Sequence, residues 1–298
     1  MGCVRRVFSI VQATALEILS EPLSLLVLLA GLVLTVLAPA FHYHQFGEAT
    51  RMARDAGLSS AFTCGAVIAI FCTIRSFRRE IESGTMSMAL AHPVSRTDFF
   101  LAKALGAFAA YLAFVLIIFL SALVIVDGAA IGGAVARQSG DVARLYGPNL
   151  AQGVGVIVLP LALSAALNRF ARARFVLTSF ALAFSLSLVC AALSIVRDAV
   201  WALRLLPVMV LILLFTSVLL SASAAFAVRL KANAAASAAG TVFLLALPAV
   251  GNYYMSDALS NGGFVPWGYV GLAALAVLPA VLLFLFLGAH FINGRDIS

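Results

Sequence analysis

Charge is what this chain lacks most. Of 298 residues only 12 are acidic and 19 basic, so 10% of the sequence is charged against 63% hydrophobic, whereas a soluble domain carries about 25% charged residues. That shortage excludes a water-soluble globular or disordered chain. Cysteine is sparse too: Cys3, Cys64, Cys72 and Cys190 have no CxxC spacing, so neither a disulfide framework nor a thiolate metal site is expected. Phosphate-loop signatures are missing, because the Gly-rich run at 129–134 is not followed by GK[ST], and HExxH and GxSxG are missing as well. The chain is therefore expected to bind no cofactor or metal and to perform no catalysis itself. Period-two alternation is also absent, which excludes a barrel and leaves helices to satisfy the backbone in lipid.

What is present is a series of long apolar runs. A bilayer core about 30 Å thick takes about 20 helical residues to cross. Runs at 23–41, 58–74, 99–126, 149–167, 175–195, 206–228, 235–255 and 267–291 meet that need. The fold class is all-α: a polytopic transmembrane helical bundle of about eight spans, or six plus an extra hairpin if 196–205 forms an interfacial or re-entrant piece. Ahead of it, residues 1–21 read as an amphipathic interfacial helix, with Val4, Phe8, Val11, Ala15, Ile18 and Leu19 on one face and Arg5, Arg6, Gln12 and Glu17 on others. Arg6 stands where a myristoylation start needs Ser or Thr. The run at 23–41 reads as a span, because more than 20 residues precede it, unlike a compact signal peptide. His42 and His44 read as an interfacial patch.

The spans contain almost no ionisable residue. Such groups cost at least about 2.5–3.5 kcal/mol at the bilayer centre and mark ion or proton paths when they persist. Lys103, Asp127, Arg169 and His290 fall near span ends, where snorkelling keeps them wet. An ion-coupled transporter is thereby disfavoured, and a hydrophobic or lipid-like substrate fits more easily. Ser179, Ser185, Ser187, Ser217, Ser221 and Ser223 read as helix-packing positions. An N-terminus inside the cell puts thirteen of the nineteen Lys and Arg on the cytoplasmic side, Arg169, Arg172 and Arg174 among them, as the positive-inside rule requires. The net charge is thus read as topology and calls for no nucleic-acid partner.

One polar stretch interrupts the apolar chain. The connector at 75–98, between the second and third spans, carries Glu80 and Glu82 for charged contacts, Gly84 and Thr85 for a turn, and Met86, Met88 and Leu90 for adaptable apolar contact. Pro93 ends it, and Ser95 with Asp98 forms an S-x-x-D cap for the next helix. The order Glu80, Gly84, Thr85, Leu90, Pro93, Ser95, Arg96, Lys103 resembles the connector of permease subunits of ATP-binding-cassette exporters of the type 2 permease group. The resemblance implies a single permease domain over 1–298 in the bacterial-type inner membrane, with N-terminus and connector cytoplasmic. It implies pairing with a second permease subunit, as a homo- or heterodimer, and with separate ATP-binding-cassette ATPase subunits that the connector contacts through Glu80, Glu82, Gly84, Thr85, Met86, Met88, Leu90, Pro93, Ser95 and Arg96. A non-transporting membrane scaffold is the alternative.

Overall fold

The computed structural model describes residues 2–37, 49–83, 95–139, 147–197, 199–254 and 265–294. Among them there is no strand. The helices are α1 (Gly2–Ser20), α2 (Pro22–Leu37), α3 (Ala49–Val67), α4 (Thr73–Glu82), α5 (Arg96–Ser139), α6 (Gly147–Ala171), α7 (Phe175–Arg197), α8 (Ala199–Arg229), α9 (Ala232–Tyr254) and α10 (Trp267–Asn293). A π-helical turn, Ile68–Cys72, joins α3 to α4 without a break in the rod; such turns carry one extra residue and often mark functional places in a helix.

Local sequence explains most boundaries. Pro22 opens α2, where its missing N–H costs nothing, and the Glu21 carbonyl accepts the Ser24 N–H at 3.1 Å. No proline lies between Pro93 and Pro148, so α5 runs uninterrupted for 44 residues. Gly294 ends α10, its N–H donating to the His290 carbonyl at 3.1 Å. Residues 199–205 are not a separate interfacial helix but the first turns of α8.

Within the described residues every expected span is helical, yet they are not alike in reach. Six stretches, Thr50–Glu82, Arg96–Ile131, Ala151–Ala171, Phe175–Val196, Leu203–Arg229 and Trp267–Asn293, are long and apolar enough to cross a membrane. Counting the broken pair Arg5–Ser20 and Pro22–Leu37 as one span gives seven, and Ala232–Leu245 is a shorter apolar helix. The 16 described residues of α2 rise about 24 Å against the roughly 30 Å core, and residues 38–41 of that expected span lie outside the described residues. The chain is a multi-pass helical membrane protein.

Two compact units divide the chain. The first comprises Met1–Leu19, Ala66–Leu112 and Val210–Ser298. Its core gathers Ile70, Ile74 and Phe77 beside Phe99, Phe100 and Ala104, with Ala224, Ala227, Val228, Ala235, Ala239 and Ile292 closing it. In lipid, helices gain little from burying apolar surface against each other, so close approach through small residues does the work. The alanines of α8 and α9 permit it, and Gly288 of α10 lies so near the Phe100 ring that no Cβ fits between them. Tyr111 and Thr216, both fully buried, share a hydroxyl hydrogen bond.

The second unit comprises Ser20–Gly65 and Ala113–Met209. Small residues again set its contacts: Gly57 abuts Ala122 and Gly153 abuts Val36. Paired hydroxyls tie its helices, Thr35 to Ser60 at 2.8 Å, Ser121 to Ser187 at 3.0 Å and Ser164 to Ser179 at 2.7 Å. Ser194 donates to Asp127 at 3.2 Å, so that carboxylate has an internal donor.

Candidate functional site

The connector's two ends lie in the first unit, on α4 and α5. Gly84, Thr85, Met86, Met88, Leu90 and Pro93 lie outside the described residues; Glu80, Glu82, Ser95 and Arg96 lie within them.

On the entering side, α4 alternates its charges between inside and outside. Ile74, Ser76 and Phe77 are buried while Arg75 and Arg79 face out, a spacing of three and four residues that a helix turns into two faces. Glu80 follows the inner face and Glu82 the outer. The Glu80 carboxylate meets the Lys103 ammonium at 2.7 Å, with Lys103 only 1% exposed. Glu82 is 62% exposed and pairs with Arg78 one turn back, at 2.7 Å. The Ser83 N–H donates to the Arg79 carbonyl at 2.9 Å and finishes the helix.

On the leaving side the S-x-x-D expectation is realised. Ser95 Oγ accepts the Asp98 N–H at 3.0 Å, satisfying one of the orphan donors of the first turn. Asp98 in that turn also suits the positive end of the helix dipole. Arg96 is half-buried. Asn293, at the end of α10, donates its amide to Thr97 Oγ1 at 3.2 Å, so the C-terminal helix is fastened to the first turn of α5.

Lys103 corrects the sequence reading. It was expected to snorkel from a span end; instead its ammonium is enclosed, 2.7 Å from Glu80 and 3.8 Å from Glu17 of α1, and 5.4 Å above the Phe77 ring. Glu17 in turn accepts the Ser76 hydroxyl at 3.1 Å and faces Arg79 at 3.9 Å. The reason is charge compensation: a buried ammonium persists only when carboxylates and a ring face replace its water. Two carboxylates and two cations balance, so the cluster carries no net charge.

The N-terminal helix has a side packed on the protein, where Thr14 and Ile18 are buried, while Phe8 is 66% exposed. Gly106 of α5 allows that packing, because a Cβ there would come within 2.6 Å of the Val11 carbonyl and 2.7 Å of Thr14. Helix α1 therefore rests on α5, and Glu17 is carried to Lys103 instead of to water.

Sequence reasoning missed Glu17 as a member of this site. One signal was available: it is the only acid in the first 20 residues, on a helix otherwise basic. Among the described residues there is no group of three or more His, Cys, Asp and Glu able to hold a metal. What the cluster can do is mechanical. Glu17, Glu80 and Lys103 tie the helix entering the connector, the helix leaving it and the N-terminal helix into one brace.

Comparison with known proteins adds the family. A model described as ABC-2 family transporter protein matches residues 20–190, more than half of the chain. No curated protein and no solved structure matches it.

Proposed function

Because this chain belongs to the ABC-2 family of transporter proteins and is thus a membrane permease component of an ATP-binding-cassette transporter, we propose that its connector is the part that takes up the motion of the ATPase. Family membership implies association with an ATP-binding-cassette ATPase, and the ATP chemistry belongs to that partner, not to this transmembrane component.

In this reading residues 80–96 dock on the ATPase from the cytoplasmic side of the inner membrane. Glu82 faces the partner; Gly84, Thr85, Met86, Met88 and Leu90 form the contact; Pro93, Ser95 and Arg96 return the chain into α5. Glu80 serves from inside, holding the end of α4 to Lys103. The N-terminus is cytoplasmic, the 298 residues form one permease domain, a second permease subunit completes the pathway, and transport is outward, of a hydrophobic or lipid-like substrate. The observation that carries the coupling role is the brace. A displacement of the connector cannot move α4 alone, because the buried Lys103 pair links α4 to α5 and α1, so binding of the partner is converted into a choice between two arrangements of helices.

Glu82→Lys tests it. The substitution reverses an exposed charge and leaves the buried cluster intact, so the permease should still insert and melt normally. Like-charge apposition at an interface costs enough to weaken the ATPase complex about tenfold or more, read as lost co-purification and lost stimulation of ATP hydrolysis by reconstituted permease. Unchanged co-purification and stimulation would overturn the connector assignment and favour a scaffold that meets its partner elsewhere.

A further inference from the structure

We propose that the hairpin of α6 and α7 binds an anionic phospholipid, with the phosphate on the arginines of its turn and an acyl chain in the groove between the two helices. Nothing in the connector reading requires this, and it stands on other residues.

The turn is unusually basic. Arg169, Arg172 and Arg174 crowd into six positions and all three are exposed. No ion pair among the described residues engages them; of the described carboxylates of the second unit, Asp55 is engaged by Arg51 and Arg54, and Asp127 by Ser194. Arg174 stands directly before α7, where Ser, Thr, Asp or Asn would normally accept the first N–H groups; a guanidinium accepts nothing. The start of a helix favours an anion in its place.

Backbone geometry adds an independent observation. Arg172 has φ +53°, the left-handed region where glycine usually ends a helix and an L side chain is strained. The turn is held in that shape by the Asn168 side-chain amide donating to the Ala173 carbonyl at 2.8 Å. The Arg172 side chain is exposed at that turn.

The groove supplies the apolar half. Pro160 and Leu163 of α6 face Leu182, Ser185, Leu186 and Val189 of α7 across it. The one hydroxyl in the wall is spent on its own helix, Ser185 donating to the Ala181 carbonyl at 2.6 Å, so an alkyl chain meets no unsatisfied group. At about 1.5 Å per residue, Leu163 lies about 14 Å from Arg172 along α6 and Leu182 about 12 Å from Arg174 along α7. That depth matches half of the roughly 30 Å hydrocarbon core: a headgroup at the arginines puts its chain in the groove. Phe170, 84% exposed, and Phe175 flank the arginines, an aromatic and basic mixture suited to the headgroup boundary. Charge decides the occupant. A second copy of this chain would bring the same arginines, and an uncharged lipid would leave them unanswered.

The test uses the full-length chain in phosphatidylcholine vesicles containing either phosphatidylglycerol or phosphatidylcholine spin-labelled at mid-chain. The immobilised fraction should favour phosphatidylglycerol about fivefold, the effect of about one basic residue's worth of attraction. In the triple variant Arg169→Gln, Arg172→Gln, Arg174→Gln the preference should vanish, while the triple Lys variant keeps most of it; the side chains are exposed, and a melting curve verifies folding. Ser185→Phe, which fills the groove, should reduce immobilisation of both lipids, and added inorganic phosphate should not compete. An unchanged preference in the Gln variant, no preference in the unmodified chain, or ready disulfide cross-linking of Ser185→Cys between two copies would each overturn the proposal, the last by showing that a second copy covers the hairpin.

Discussion

Lys103 and the arginines of the α6–α7 turn do opposite things with the same charge. Lys103 is 1% exposed and meets two carboxylates and an aromatic ring. Arg169, Arg172 and Arg174 are exposed and have no ion-pair partner among the described residues. In the first case a cation organises helices; in the second it is offered to the surroundings. The helices differ accordingly, since 72% of the α5 span is buried within the protein but only 17% of the α6 span and 28% of the α7 span. A basic residue near a span end is therefore not one kind of object. Whether it braces or anchors depends on the carboxylates that other helices bring to it.

The contrast breaks most sharply at Lys103. Lys103→Met leaves Glu80 and Glu17 facing each other without their cation, and loss of one partner of a buried ion pair costs about 3–5 kcal/mol. The carboxylates are 24% and 29% exposed, so water screens part of this and about 3 kcal/mol is expected. Thermal unfolding in detergent should show a clearly lowered midpoint, and stimulation of the ATPase should fall with it. Adding Glu80→Gln and Glu17→Gln should recover most of the stability but not the stimulation. A Lys103→Met protein that melts like the parent would show that the cluster braces nothing.

Glycine gives the same comparison in terms of packing. Gly106 sits under the backbone of α1, with the Val11 carbonyl 2.6 Å from where a Cβ would be, whereas Gly155 on α6 has nothing within 4 Å. Gly106→Ala should therefore cost about 1–3 kcal/mol through overpacking and loosen α1, seen as faster hydrogen exchange over residues 5–20. Gly155→Ala should be neutral or stabilising by up to about 1 kcal/mol, because the helix gains alanine's propensity without a clash. Equal effects would mean that α1 does not depend on its seat on α5.

How much of this was legible in the sequence follows the range of the interactions. The helices were legible, because apolar run length is a local property. So was the Ser95 cap, whose partners are three residues apart, and so was the inequality of the connector and the spans. The burial of Lys103 was not, since its carboxylates lie 23 and 86 positions away in the chain and nothing local says which helix faces will meet. The seat of α1 was not legible either: periodicity offered a face containing Ile18, but that Gly106 of another helix receives it at Val11 and Thr14 is a long-range fact. The break before α2 was legible in Pro22, and of the span expected at 23–41 residues 38–41 lie outside the described residues.

The smallest expected change sharpens the comparison from the other side. Arg172→Gly removes a side chain from a residue at φ +53°. An L residue in the left-handed region carries about 1–2 kcal/mol of strain, and glycine's extra freedom in the unfolded chain gives back about 0.5–1 kcal/mol. The net is a gain of about 0.5 kcal/mol, visible as a slightly raised unfolding midpoint, together with a reduced preference for phosphatidylglycerol. Arg172→Ala, with the strain kept and the guanidinium gone, should reduce the preference as much without gaining stability. If Arg172→Gly lowers the midpoint instead, Arg172 holds the protein together as Lys103 does, and the division between bracing and anchoring cations fails at the residue where it is drawn most clearly.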